Sequence, residues 1–355
     1  MSDLWGSKIK YTLFGESHGE AIGITIADLP AGIFLDLEQI RQQMLKRAPQ
    51  NAVWSTSRKE ADDFHILSGL LNGKTTGAAL TAVIYNTNQK SLDYVKLNDI
   101  PRPGHADLPA FFRYEGNADL RGGGHFSGRL TAPLVFAGNI ARQILAAKNI
   151  FIGAYIGQIG KINCPETVAI DLKKLQSFSE IVFPVENSDY FEPMVAEIQN
   201  ARQQGNSVGG MIKCCVLGCK PGIGNPFFDS VESVLAHLLF SIPAVKGVSF
   251  GAGFALAGMR GSESNDSFYY TEDGKIQCNS NNLGGIQGGI TNGMPIVFHL
   301  AVKPTPSIAL RQQSINLATR ENCSLEIIGR HDPCIVPRML PVVEAVTAMG
   351  ILELI

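Results

Sequence analysis

The 37 glycines of this 355-residue chain gather in four segments, 15–23, 116–128, 205–224 and 284–293, that also carry polar side chains. Glycine reaches positive φ and lets backbone come close to a ligand or to another part of the chain. Segments of this kind suit a site built largely from main chain, and they equally suit ordinary tight turns.

Between these segments the apolar patterning marks regular elements. Asp36 reads as a helix N-cap with Gln39 three residues on, and Leu37, Ile40 and Met44 then form an apolar stripe ending near Arg47. The stretch 133–148 is apolar on nearly every face, which predicts a central buried helix. Further helices are expected over 190–204, stopped by Gly205, over 230–240 behind a Ser230 cap, and from Pro341 onward. Strands are expected at 22–27, 78–85, 211–217 and 295–302, the last rich in β-formers. Runs of strands with segregated buried helices indicate an α+β layered fold. No Gly-x-Gly-x-x-Gly joins a strand to a helix, so a dinucleotide-binding Rossmann unit has no support. A strand followed by Leu29-Pro30-Ala31-Gly32, Asp36 and a helix echoes a strand followed by Lys220-Pro221-Gly222-Ile223-Gly224, Asp229 and a helix. That echo raises duplicated halves as an expectation.

A hydrophobic content of 45% allows a large core, and by size one large domain or two ordinary ones both fit. The formal net charge of -2 gives no general attraction to nucleic acid or acidic membrane, so any anion site must be local. No apolar run is long enough for a membrane span, and Met1-Ser2-Asp3-Leu4-Trp5 lacks the regions of a signal peptide. A cytoplasmic protein is expected. Seven scattered cysteines without Cys-x-x-Cys units point to reduced thiols and to no metal site. Cys214, Cys215 and Cys219 lie in or beside the strand at 211–217, where small apolar side chains suit a half-buried strand.

Four clusters could carry chemistry. In Phe14-Gly15-Glu16-Ser17-His18-Gly19 a hydroxyl and an imidazole share a glycine-flanked turn, and histidine, with an ordinary pKa of about 6.5, moves protons near neutrality. In Arg102-Pro103-Gly104-His105-Ala106-Asp107 the carboxylate either orients the ring or caps the next segment. Arg121-Gly122-Gly123-Gly124-His125-Phe126-Ser127-Gly128-Arg129 leads into the buried helix, and free N–H groups beside serine and arginine make a competent anion site. In Gly329-Arg330-His331-Asp332-Pro333-Cys334, Pro333 favours an extended backbone that puts Arg330 and Asp332 on one face and turns His331 away. The turn Lys303-Pro304-Thr305-Pro306 either presents a cation to phosphate or is a plain strand exit.

Taken together these motifs resemble the chorismate synthase family. The order Phe14–Gly19, Asn86-Thr87-Asn88-Gln89, Arg102–Asp107, Arg121–Gly124, Gly284–Gly293 and Gly329–Cys334 matches its signature segments over nearly the whole chain, which implies one domain over 1–355. The resemblance implies a β-α-β sandwich with buried helices between two antiparallel sheets, usually as a homotetramer. It implies a 1,4-elimination of phosphate from 5-enolpyruvylshikimate 3-phosphate to give chorismate, using reduced FMN without net redox change. His18 is then expected to protonate the departing phosphate and His105 to protonate the reduced flavin near N1, while Asp332 helps flavin N5 take the ring proton. The expected substrate clamps are Ser17, Arg47, Arg102, Arg129 and Arg330, since arginine binds oxyanions bidentately. The expected flavin contacts are His125, Phe126, Ser127, Pro243, Ala244, Gly288, Lys303, Pro304, Thr305, Pro306, Ser307 and Arg330. NADPH as the source of flavin electrons stays open.

The chain departs from the family pattern in places. His125-Phe126-Ser127-Gly128-Arg129-Leu130-Thr131 stands where most members have Arg-Ser-Ser-Ala-Arg-Glu-Thr, Pro243 stands where Asn is common, and Ala48-Pro49-Gln50 replaces the usual Arg-Pro-Gly. These changes bear on flavin contacts more than on the reaction. Two other readings fit the same residues: a flavin-dependent oxidoreductase using the same cradle, and a non-enzymatic oligomer that binds a phosphorylated metabolite.

Overall fold

A computed structural model describes residues 3–49, 52, 54–55, 62–87, 99–165, 170–327 and 332–355. Strands β1 (Leu4–Trp5), β2 (Lys10–Gly15), β3 (Ala21–Ala27), β4 (His65–Ser68) and β7 (Leu80–Tyr85) form one sheet in the order β1-β2-β3-β7-β4. The short pair β5 (Leu70–Leu71) and β6 (Lys74–Thr75) forms a two-stranded sheet of its own. Strands β8 (Phe151–Ile159), β9 (Ile162–Asn163), β10 (Gly210–Leu217), β11 (Val245–Phe250) and β16 (Ile296–Val302) form a second sheet in the order β11-β16-β10-β8-β9. Both sheets are antiparallel at every pairing. Among the described residues three further hairpins stand apart: β12 (Phe268–Tyr270) with β13 (Ile276–Cys278), β14 (Ile286–Gln287) with β15 (Ile290–Thr291), and β17 (Gln312–Asn316) with β18 (Glu321–Leu325).

Eight α-helices accompany the strands among the described residues: α1 (Leu37–Arg47), α2 (Asp107–Arg113), α3 (Thr131–Ala146), α4 (Leu172–Glu180), α5 (Phe191–Gln203), α6 (Val231–Ser241), α7 (Gly261–Ser264) and α8 (Val336–Leu354). The chain is thus α+β. Helix α3 packs on β2, β3 and β7 of the first sheet, α8 packs on β8 and β10 of the second, and the two helices pack on each other. Their closest approach needs a glycine, because a Cβ on Gly138 of α3 would lie 2.3 Å from the carbonyl oxygen of Ala345 in α8. Such small contacts let two apolar helices bury most of their surface, and the largest fully buried side chains include Phe136 of α3 and Phe298 of β16.

The capping residues act as the sequence suggests. The Asp36 carboxylate accepts from the N–H of Gln39 at 3.0 Å, and the Ser230 hydroxyl accepts from Ser233 at 3.0 Å. Asp229 is therefore not the counterpart of Asp36, since it sits one residue before the cap. The last helix starts at Val336 rather than at Pro341. Pro337 in its first turn fits because the first N–H groups have no partner in the helix, and Pro341 is carried inside at the loss of one intrahelical bond. Strand β10 is buried on both faces from Ile212 to Val216 instead of being half-buried. Helix α8 covers one side of this sheet, and α4 and α5 pack on β8.

Candidate active site

The site begins where β2 turns into β3. Pairing of β3 with β7 sets Ala21 opposite Tyr85, which brings Asn86 alongside the turn that holds Ser17 and His18. Asn86 donates through Nδ2 to the carbonyls of Glu16 (3.1 Å) and Gly19 (3.0 Å), and its N–H donates to Glu20 (3.0 Å). The N–H of Ser17 donates to the carbonyl of Gly124 at 3.1 Å, fastening the turn to the glycine triplet.

Gly122, Gly123 and Gly124 all have positive φ (61°, 91° and 54°). A Cβ on Gly122 would lie 1.9 Å from Cε1 of His18, and one on Gly123 would lie 3.3 Å from both Cε1 and Nε2 of His105. Two imidazoles distant in sequence therefore lie against adjacent glycines. The triplet acts as a floor for the rings, and α3 starts only at Thr131, after two short turns.

Asp107, the first residue of α2 and buried, orients the ring rather than capping the helix, since no side chain caps α2. Its Oδ2 accepts from Nε and the backbone N–H of Arg102 (2.7 and 3.0 Å), and its Oδ1 accepts from Nη2 of Arg102 at 2.7 Å and lies 2.6 Å from Nδ1 of His105. Burial acts to raise the Asp107 pKa, but the hydrogen bonds from Arg102 and His105, aided by their charges, outweigh it and hold the carboxyl well below the usual range. Nη2 of Arg102 also lies 3.1 Å from Nδ1 of His105. Both groups cannot be served by one nitrogen, and the shorter contact to an ionised carboxylate makes Nδ1 the donor. Nε2 of His105 is left at the Gly123 side.

A second buried carboxylate, Asp62, joins two more arginines. It accepts from Nε of Arg47 at 2.7 Å and pairs with Nη1 of Arg129, whose Nε donates to Oδ1 of Asn86 at 3.1 Å. Nη1 of Arg338 lies 2.5 Å from Oδ2 of Asp332, and Nε of Arg338 donates to the Arg47 carbonyl at 3.0 Å. Thr305 donates to the Asp332 carbonyl at 2.8 Å. The hydroxyl-bearing turn at 303–307 is thereby tied to the segment before α8.

These groups surround one cavity of about 1000 Å³. Ser17, Arg47, Arg102, His105, His125, Phe126, Ser127, Arg129, Pro243, Ala244, Lys303, Thr305, Pro306, Ser307 and Asp332 all line it. His18 is not in the lining; its ring lies against Gly122, which is. Pro304 is not in the lining, and Gly288 lies between β14 and β15, likewise outside the lining. Arg330 and His331 lie outside the described residues, as do Asn88 and Gln89. Among the described residues, six Lys or Arg side chains face the cavity against two carboxylates, those of Asp3 and Asp332. Lys303 has its pKa lowered by burial and by the charge of Lys246, and its Nζ donates to Gly104 at 2.5 Å. His125 places Nδ1 2.9 Å from the Gly15 carbonyl and Nε2 3.1 Å from Asp3. Ala244 holds φ 74°, which a residue with a Cβ tolerates only under local constraint, here the Lys303 N–H bonded to its carbonyl at 3.0 Å.

Asp62, Lys246 and Arg338 are functional candidates that the sequence reading did not single out. Asp62 and Arg338 have no glycine beside them, Lys246 is followed by Gly247 outside any of the four clusters, and long-range contact is what reveals all three.

The family model described as chorismate synthase matches residues 9–355. The chain belongs to the chorismate synthase family. It is 44% identical to the chorismate synthase of Dehalococcoides mccartyi over 354 residues, covering 100% of this chain and 96% of that protein. It is 44% identical to that of Thermococcus gammatolerans over 343 residues, covering 97% and 94%. A crystal structure of chorismate synthase superposes with a TM-score of 0.74 at 27% identity, covering 99% of this chain and 92% of that one. In this chorismate synthase family member, His125, Phe126 and Ser127 lie directly in the cavity wall.

Proposed function

We infer that this chain catalyses the 1,4-elimination of phosphate from 5-enolpyruvylshikimate 3-phosphate to give chorismate, a carbon–oxygen lyase reaction of aromatic amino acid biosynthesis. The observation that carries the reading is the convergence of His18 and His105 on adjacent glycines of a cavity wall that holds, among the described residues, six Lys or Arg side chains. A substrate with one phosphate and two carboxylates needs such an excess of cations. Each charge-assisted hydrogen bond contributes about 1.5–3 kcal/mol.

The residues also suit a flavin. The volume of about 1000 Å³ leaves room for a planar ring beside a carbocycle, with Phe126, Pro243 and Ala244 as apolar wall and Lys303 as a cation for a phosphate tail. His125, Ser127, Thr305, Pro306 and Ser307 would complete that wall, while Pro304 would hold the turn behind it. When bound, reduced FMN supplies the electron density that lets phosphate leave without net redox change.

The remaining chemistry belongs to side chains. Arg47, Arg102, Arg129 and Ser17 bind and orient the substrate anions. His18 donates a proton to the departing phosphate, a contribution of about 10²- to 10⁴-fold in rate. His105 holds a proton at Nε2, its ring fixed from behind by Asp107 through Nδ1. The Asp332 carboxylate, oriented by Arg338, would assist removal of the substrate's ring proton. Arg330 remains a proposed substrate and flavin contact.

The same reading takes the layers around α3 and α8 as a β-α-β sandwich in one domain over 1–355, with two five-stranded sheets descended from duplicated halves. It takes the protein as a cytoplasmic homotetramer. Among the described residues no helix is long and apolar enough to cross a membrane.

The test is anaerobic phosphate release with reduced FMN by the protein and by His18→Ala and His105→Ala. Turnover in each variant is expected to fall at least about 10-fold with circular dichroism unchanged. Undiminished turnover in both variants removes the assigned roles.

A further inference from the structure

Asp62 belongs to none of the sequence motifs and does not line the cavity, yet its side chain is only 1% exposed and holds two residues that do. Arg47 comes from the last turn of α1 and Arg129 from the turn before α3. Their side chains are 4% and 8% exposed, and each meets a different oxygen of the same carboxylate. Other bonds finish the placement. Nη1 of Arg47 lies 3.3 Å from the Thr131 hydroxyl and 3.4 Å from the Gly128 carbonyl, and Nε of Arg129 lies 3.1 Å from Oδ1 of Asn86.

Two guanidinium groups brought this close repel each other, and free arginine side chains would splay apart into solvent or into the cavity. A carboxylate between them fixes both their separation and their direction. We propose that Asp62 is a positioning residue that converts Arg47 and Arg129 into one preformed two-pronged site for an oxyanion of the substrate. The inference rests on the proposed reaction only for the identity of that anion.

The opposite effect is also physical, and the two can be told apart. A buried negative charge behind the arginines reduces the potential felt by an anion. If charge alone mattered, removing it would tighten anion binding. If placement dominates, removing it weakens binding even though the site becomes more positive. A substituted amide at this position leaves one of the two guanidinium groups facing NH2 hydrogens instead of an acceptor, because Arg47 and Arg129 meet different oxygens of the carboxylate.

The experiment compares the full-length protein with Asp62→Asn and Asp62→Glu. Inorganic phosphate affinity is read first, from the thermal shift of the protein without flavin or turnover. Phosphate binding is expected to weaken at least about 5-fold in Asp62→Asn and less in Asp62→Glu, which keeps the charge. In anaerobic turnover, KM for the phosphorylated substrate is expected to rise at least about 10-fold in Asp62→Asn while kcat falls less. Equal or tighter phosphate binding by Asp62→Asn overturns the proposal, as does a wild-type protein that phosphate does not stabilise. Where Asp62→Asn does not fold, Asp62→Glu decides in the same direction: weaker binding supports the proposal and unchanged binding ends it. Wild-type protein that binds phosphate but releases none from the substrate would defeat the reaction while leaving the Asp62 result to stand.

Discussion

Gly122 can be replaced only at the expense of His18. Its φ of 61° disfavours any side chain, and a Cβ would meet the imidazole ring at 1.9 Å. Because the obstacle is the end of a side chain, Gly122→Ala is expected to displace His18 more than it unfolds the protein. We predict a fall in kcat of at least about 10-fold with a modest loss of Tm, about 1–2 kcal/mol in stability from the backbone strain. Unchanged kcat would show that the ring is not held there. Asp107 offers a test by pH. Its carboxyl titrates below the ordinary range in the folded state, so its contribution to stability is present above the unfolded value of about 3.9 and is lost as pH falls toward the folded one. Asp107→Asn should therefore be less stable than the parent at neutral pH, and the gap measured by thermal unfolding should close below about pH 4. At this scale much was legible in sequence. Ser17, His18, His105 and Arg129 stood out because glycines flank them, and glycine marks places where backbone and side chains crowd. Asp62 and Arg338 were not legible, since a single carboxylate and a helical arginine look the same whether they face water or an active site.

Regular elements followed from capping and periodicity wherever the physics is local. Ser230 was readable because its hydroxyl satisfies an N–H three residues on, and Ser230→Ala should cost about 1 kcal/mol in denaturant unfolding. A cost near zero would mean the cap is not formed. The start of α8 is hidden in the sequence because Pro341 looks like a boundary, while burial of this helix over nearly its whole length compensates for the bond that proline removes. The full burial of β10 is hidden for a related reason: a second cover on its sheet is a tertiary fact. That burial has a chemical consequence. Desolvation pushes the Cys214 thiol up, and raises Cys215 to about 12, with Cys219 adding to the effect, and Cys219 itself to about 11. A disulfide-exchange reagent at pH 8 is expected to modify at most one thiol quickly, the partly exposed Cys323, and all seven after denaturation. Fast labelling of several thiols in the folded protein would contradict the packing around β10.

For the whole molecule, the sequence supported an α+β fold, and the coordinates show two antiparallel sheets with α3 and α8 packed on them and on each other. What no local pattern could reveal is that the loops at the ends of these elements meet at one cavity. Strand pairing does that work: the β3–β7 register places Asn86 beside the His18 turn, and the β11–β16 register brings the Ala244 turn to Lys303. The most direct measurement follows phosphate release and the flavin absorbance spectrum together, without oxygen, over many turnovers of 5-enolpyruvylshikimate 3-phosphate. The predicted result is many phosphates released per flavin, with the flavin still reduced at the end. No release, or one flavin oxidised for each phosphate, would contradict it.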